Sequence, residues 1–141
     1  MKKSKIAIIV LIIVVCAIAF FVGNEASDAD EAWKDARYTE NTELGKGDKT
    51  INVKVIVGKN NVKFTIHTDK ETVGEALAEH KLIDGEEGPY GLYVKYVNGI
   101  KADYDENKAY WAFSKESTPL ETGVDKTKLN DGEKYELIYT K

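Results

Sequence analysis

The sequence predicts an α+β domain: a β-sheet crossed on one face by a single helix, behind an N-terminal membrane segment. Three observations carry this. An uncharged apolar run of membrane length opens the chain. Two alternating stretches, Ile51–Val57 and Val62–Ile66, flank a Gly/Asn turn. A capped helical stripe then precedes three further strand-like segments.

The order begins with Lys2, Lys3 and Lys5, followed by residues 6–22, IAIIVLIIVVCAIAFFV. A basic start before such a run is a signal peptide or an N-terminal transmembrane anchor, and a spanning helix needs roughly 17–25 residues. No good Ala-x-Ala site follows, and the lysines favour an inside N-terminus. The expectation is therefore a cell-membrane protein with its folded part on the extracellular side, secreted if the segment is cleaved. Cys16 follows Val15, where a lipobox requires a small residue, so it reads as an apolar residue within the run. As the chain's one cysteine, it leaves no intrachain disulfide.

The 141 residues carry 20 basic and 24 acidic side chains, a net charge of −4. Three of the lysines precede residue 24 and no acid does, so the remainder carries 17 against 24, or −7. Such a balance repels phosphate backbones and argues against nucleic acid as a partner.

Residues 24–49 are rich in Asp and Glu and lack apolar periodicity, which predicts a polar tether with a nascent helix near Asp30–Arg37. Residues 50–141 are enough for one small core. Ile51, Val53, Val55 and Val57 alternate, as do Val62, Phe64 and Ile66, and Gly58–Asn61 between them makes a hairpin. Thr72-Val73-Gly74-Glu75 is a capping box opening a helix with Val73, Ala76 and Leu77 on one stripe. Gly85–Pro89 reads as a loop by composition.

Gly88–Gly99 (GPYGLYVKYVNG) follows as a strand ending in Asn98-Gly99, a type I′ hairpin signal. Plain alternation places Leu92, Val94 and Tyr96 inward and Tyr93 outward. Ala109–Ser114 is a further strand with Trp111 and Phe113 on one face, and Lys134–Thr140 a last one. Two strands, one helix and at least three strands give the order of a β-grasp-like (ubiquitin-like) fold.

Chemistry-bearing spacings are absent. His67 and His80 form no H-x-x-x-H or paired Cys/His pattern, and no nucleophile elbow or phosphate loop exists. No enzymatic activity, no metal site and no resident cofactor are expected. Aromatic residues are what stand out: nine of them fall between Tyr90 and Tyr139. Alternation cannot bury them all, so Tyr90 and Tyr93 are candidates for a binding surface.

Five elements in order carry a resemblance: the capped Thr72–Leu77 helix, the Tyr-x-x-x-x-Asn-Gly hairpin at Tyr93–Gly99, Tyr110-Trp111, Pro119-Leu120 with Gly123, and Asp131-Gly132-Glu133. Together they resemble the C-terminal domain of transcobalamin and intrinsic factor, and the bacterial DUF4430 family of exported and anchored Gram-positive proteins. The resemblance implies a β-grasp-like fold and cobalamin or another corrinoid as ligand, presented to a membrane transporter. It places ligand contacts at Trp111, Ala112, Phe113, Pro119, Leu120 and Glu121. Two features depart from the carriers: these residues hold no counterpart of the large helical domain, and Ala112 stands where a longer polar residue is usual. The alternative is a cell-surface module that binds protein or polymer and takes no small-molecule ligand.

Overall fold

The computed structural model describes residues 23–89 and 91–141, with side chains from Asp28 onward. The run 6–22, Cys16 and Tyr90 lie outside the described residues. Among the described residues no helix is long and apolar enough to cross a membrane.

The architecture is mixed α+β and dominated by strands. A helix, α1 (Gly23–Trp33), leads to β1 (Thr42–Gly45), then the hairpin β2 (Lys49–Val57) and β3 (Asn60–Thr68). Helix α2 (Val73–Glu79) precedes β4 (Ile83–Gly88), β5 (Gly91–Val97) and β6 (Ile100–Lys101). A single helical turn, α3 (Tyr104–Asn107), connects to β7 (Tyr110–Lys115) and β8 (Thr118–Pro119). A 3₁₀ turn (Val124–Lys126) and β9 (Lys134–Thr140) complete the chain. The larger sheet runs β1-β3-β2-β9-β7-β8, and β4-β5-β6 form a second, three-stranded sheet.

The alternating pattern of β2 and β3 determines their register. Val53 faces Phe64 and Val55 faces Val62 across the antiparallel pair. The last strand inserts beside β2 in parallel, setting Tyr135 next to Val53 and Leu137 next to Val55. These side chains are buried together with Val73, Ala76 and Leu77 of α2. Burying each such aliphatic group contributes roughly 1.5–3 kcal/mol. The expected capping box closes α2: the Glu75 N–H donates to Thr72 Oγ1, and the Thr72 N–H to Glu75 Oε1, both at 3.2 Å. At the other end Lys81 takes a left-handed conformation (φ 56°). That lets the Leu82 N–H reach the Leu77 carbonyl at 2.9 Å, a Schellman-type stop.

Three expectations change. Residues 24–49 are not a free tether: Ala29 is buried, and β1 pairs in parallel with β3 from Thr42–Phe64 to Gly45–His67. Tyr38 meets Phe64 edge to face, with ring centroids 5.4 Å apart. Its backbone is gripped by buried Asn98, whose Oδ1 accepts from the Tyr38 N–H at 3.0 Å and whose Nδ2 donates to its carbonyl at 2.9 Å. Backbone pairing and apolar packing dock the segment together, since Ala29, Ala32, Trp33 and Ala36 form a helical stripe that packs on the core with Tyr38 and Leu44. Secondly, Gly85–Gly88 is strand, not loop. A β-carbon at Gly85 would lie 2.0 Å from the Tyr93 carbonyl oxygen, so glycine permits the pairing.

Thirdly, Tyr96 is not core. Asp84 pairs with Tyr96 but Gly85 pairs with Val94, leaving Lys95 as the extra residue of a β-bulge. The bulge resets the alternation, so Val94 and Val97 point inward while Tyr93 and Tyr96 are both exposed. Asn98 (φ 54°) and Gly99 (φ 82°) make the type I′ turn expected of them.

Candidate functional site

The resemblance assigns two segments to ligand, Trp111–Phe113 within β7 and Pro119–Glu121 in the loop from β7 to the 3₁₀ turn. The loop begins with a tight turn. Lys115 and Thr118 pair across Glu116 (φ 47°) and Ser117 (φ 71°), both left-handed without being glycine. Each such residue stores about 1 kcal/mol of backbone strain. Glu136 on neighbouring β9 holds the turn, its Oε1 accepting from the Ser117 N–H at 2.8 Å and from the Ser114 hydroxyl. Beyond it, the Leu120 N–H donates to the Phe113 carbonyl at 3.0 Å, folding Pro119-Leu120 back along β7.

The 3₁₀ turn forms the facing wall. Thr127 Oγ1 donates to the Gly123 carbonyl at 2.9 Å, and Asp125 Oδ2 accepts from the Leu92 N–H at 3.2 Å, tying this wall to β5. The other Asp125 oxygen is buried and has no hydrogen-bond partner. Between the walls lies an open groove of about 520 Å³, which Pro119, Leu120 and Glu121 line together with Thr122 and Lys128. Grooves of roughly 300–1,000 Å³ suit small-molecule ligands.

Of the residues expected at a site, Pro119, Leu120 and Glu121 thus come together. Phe113 is half-buried against the core behind them. Trp111 lies elsewhere: it is 5% exposed, its indole N–H donates to the Ile100 carbonyl at 3.3 Å, and its ring packs edge-on against Tyr139. The same alternation that pairs it with Phe113 turns both toward the core, so Trp111 is a floor beneath the surface. Ala112, the intervening residue, belongs to the sheet's opposite face. Tyr93 is 42% exposed on the small sheet, with Lys95 Nζ over its ring at 5.7 Å. Tyr90 falls outside the described residues. Lys115, Thr118, Thr122 and Lys126–Lys128 also line the groove, and nothing in their spacing announces it.

Electrostatics are organised at the turn's base. Glu133 pairs with Lys115 and accepts from the Tyr135 hydroxyl at 2.6 Å and the Asn130 N–H at 2.8 Å. Burial works to raise its pKa, but Lys115, the Tyr135 hydroxyl and the Asn130 amide together hold the carboxyl below its ordinary range. Burial first, and then the bond to Glu133, push the Tyr135 hydroxyl well above its ordinary range. Among the described residues no group of three or more His, Cys, Asp or Glu side chains is placed to hold a metal ion.

Residues 70–141 match the model of a family described as a domain of unknown function, DUF4430. The chain belongs to the DUF4430 family. No curated protein matches it. Among solved structures, this DUF4430 protein is similar to a candidate metal-binding protein from Ruminococcus gnavus ATCC 29149, at 34% identity and a TM-score of 0.63. That match covers 67% of this chain and 98% of the other. It is also similar in fold to haptocorrin, solved in complex with cobinamide, at 17% identity and a TM-score of 0.57. There the match covers 70% of this DUF4430 protein but only 26% of haptocorrin, a member of the transcobalamin family. The resemblance to the transcobalamin domain read from the sequence is thereby shown at the level of fold.

Proposed function

We propose that this DUF4430 protein is a non-enzymatic ligand-binding module whose β-grasp-like domain covers one side of a corrinoid, or a similarly bulky small molecule, at the Pro119–Glu121 groove. The observation that carries the reading is the coincidence of two independent placements. Pro119–Glu121, one of the two segments that the transcobalamin resemblance assigns to ligand, also lines an open groove. Haptocorrin, with which the chain shares its fold, was solved with cobinamide bound. Leu120 and Pro119 offer apolar contact, while Glu121, Thr122 and Lys128 offer hydrogen bonds to peripheral amides of such a ligand. In this reading residues 6–22 anchor the protein in the membrane, the domain lies on the extracellular side, and the ligand passes to a membrane transporter.

A groove this open leaves much of a corrin ring in water, so affinity rests on whatever covers the other face. Calorimetric titration of the full chain with cobinamide is the test. Binding that is weakened at least tenfold by Leu120→Asp, with an unchanged far-ultraviolet spectrum, supports the reading. No heat at millimolar cobinamide, with or without a co-expressed transporter, sinks it. The alternative, a protein-binding module, rests on β1, which ends the large sheet with one edge unpaired and could accept a partner strand. Strand capture lost on Glu43→Pro, without any corrinoid binding, would favour that alternative.

A further inference from the structure

The outer face of the large sheet carries a second, different feature. Lys54 on β2 and Lys63 on β3 are direct cross-strand partners. Like charges placed opposite each other destabilise a sheet. A third lysine, Lys134, enters from β9, where it is paired with Asn52, two residues from Lys54 on the same face. All three line one shallow cleft of about 400 Å³, together with Asn52 and Glu136.

What marks the cluster is that three lysines without an ion pair share one cleft of an acidic chain, although Glu136 on β9 is the strand neighbour of Lys54. The protein carries 24 acidic against 20 basic residues. Five lysines elsewhere, Lys34, Lys95, Lys101, Lys115 and Lys141, form ion pairs. Among the described residues, Lys54, Lys63 and Lys134 have neither an ion pair nor a side-chain hydrogen bond. The one carboxylate lining the cleft, Glu136, is drawn away to the Ser114 hydroxyl and the Ser117 N–H. Asn52 Oδ1 is likewise turned to Thr65, whose hydroxyl donates to it at 3.4 Å. Adjacent strands lie about 4.8 Å apart, so Lys63 and Lys134 flank Lys54 across two strand spacings, and their long flexible stems let the ammonium groups reach a phosphate held between them. Ammonium groups are suited to phosphate as point charges.

We propose that Lys54, Lys63 and Lys134 form a binding site for a phosphate group, on the opposite side of the sheet from its apolar core and independent of the Pro119–Glu121 groove. The phosphate is either free or carried on a phosphodiester or phosphoanhydride chain, and the two sources share the chemistry that the lysines recognise. A locally positive cleft would let an acidic domain hold such a group despite its net charge.

The test uses the full chain with inorganic phosphate in one arm and a linear polyphosphate in the other, read by calorimetry and thermal shift at low ionic strength. The cluster variant is Lys54→Gln/Lys63→Gln/Lys134→Gln; the control, with the same charge change, is Lys46→Gln/Lys59→Gln/Lys70→Gln. Binding in either arm that falls at least tenfold in the cluster variant and less than twofold in the control supports the site. Binding in both arms assigns it to the phosphate group itself, and binding of polyphosphate alone assigns it to a chain-borne phosphate. No binding in either arm, or an equal loss in both variants, overturns it. In ligand-free buffer Lys63→Gln alone should raise the melting temperature, since it removes the like-charge opposition; this also shows that the variant folds.

Discussion

Two hairpin turns of this molecule share a backbone shape and differ in everything that maintains it. Asn98-Gly99 and Glu116-Ser117 each have two consecutive positive φ values. The first uses the residues that tolerate this conformation, and its asparagine is completely buried. Besides the Tyr38 contacts, the Asn98 N–H donates to the Leu82 carbonyl at 2.8 Å, and its carbonyl accepts from the Arg37 N–H at 2.9 Å. The second uses residues that tolerate it poorly, is exposed, and depends on one carboxylate from β9. The first turn clamps three parts of the chain together, whereas the second aims a loop. Strain of the second kind gathers where a surface is being shaped for contact.

The largest way to break the comparison is to remove the clamp's partner. A chain starting at Asp48 strips Asn98 of both Tyr38 hydrogen bonds and removes β1, and should lose about 3 kcal/mol or more, since each unsatisfied buried polar group costs ~1–3 kcal/mol. Urea denaturation against the full chain measures this. Asn98→Ala keeps the segment but deletes the side-chain bonds, and should cost roughly 2–3 kcal/mol by the same measurement.

The second turn responds to charge instead. Glu133 holds Lys115 at its base, and its carboxyl is held below the ordinary range. A depressed carboxyl contributes stability that is full above the unfolded value of about 4.3 and is lost as pH falls through the lower folded value. Glu133→Gln should cost about 1–2 kcal/mol at pH 7 and flatten the acid limb of a melting-temperature profile. An unchanged acid limb would count against this role. The smallest effect sharpens the comparison rather than breaking it. Ser117→Gly should stabilise the protein by about 0.5–1 kcal/mol by relieving the left-handed conformation, whereas Gly99→Ala should destabilise it. At Gly99 a β-carbon would come within 2.8 Å of the Asp35 carbonyl oxygen.

Local patterns made much of the fold legible. Period-two alternation gave the faces of β2, β3 and β9, since a strand's side chains must alternate whatever surrounds it. Thr72–Glu75 and Asn98-Gly99 declared their cap and turn because both are settled within four residues. The groove was partly legible: Pro119, Leu120 and Glu121 came from the family pattern, while the lysines and threonines beside them did not. By itself, then, the sequence determined that β2, β3, β5, β7 and β9 are strands, where the helix begins, and that the chain is a DUF4430 protein. Only the tertiary structure decided the rest. The bulge at Lys95 that turns Tyr96 outward depends on how β4 meets β5. The docking of residues 28–49 depends on where β3 offers its edge to β1 and on the grip of Asn98 on Tyr38, besides the apolar side chains of the segment itself. The unpaired lysines become neighbours because β9 inserts beside β2, joining positions 54, 63 and 134. In the last two cases the deciding interaction joins residues distant along the chain, where no local spacing records it.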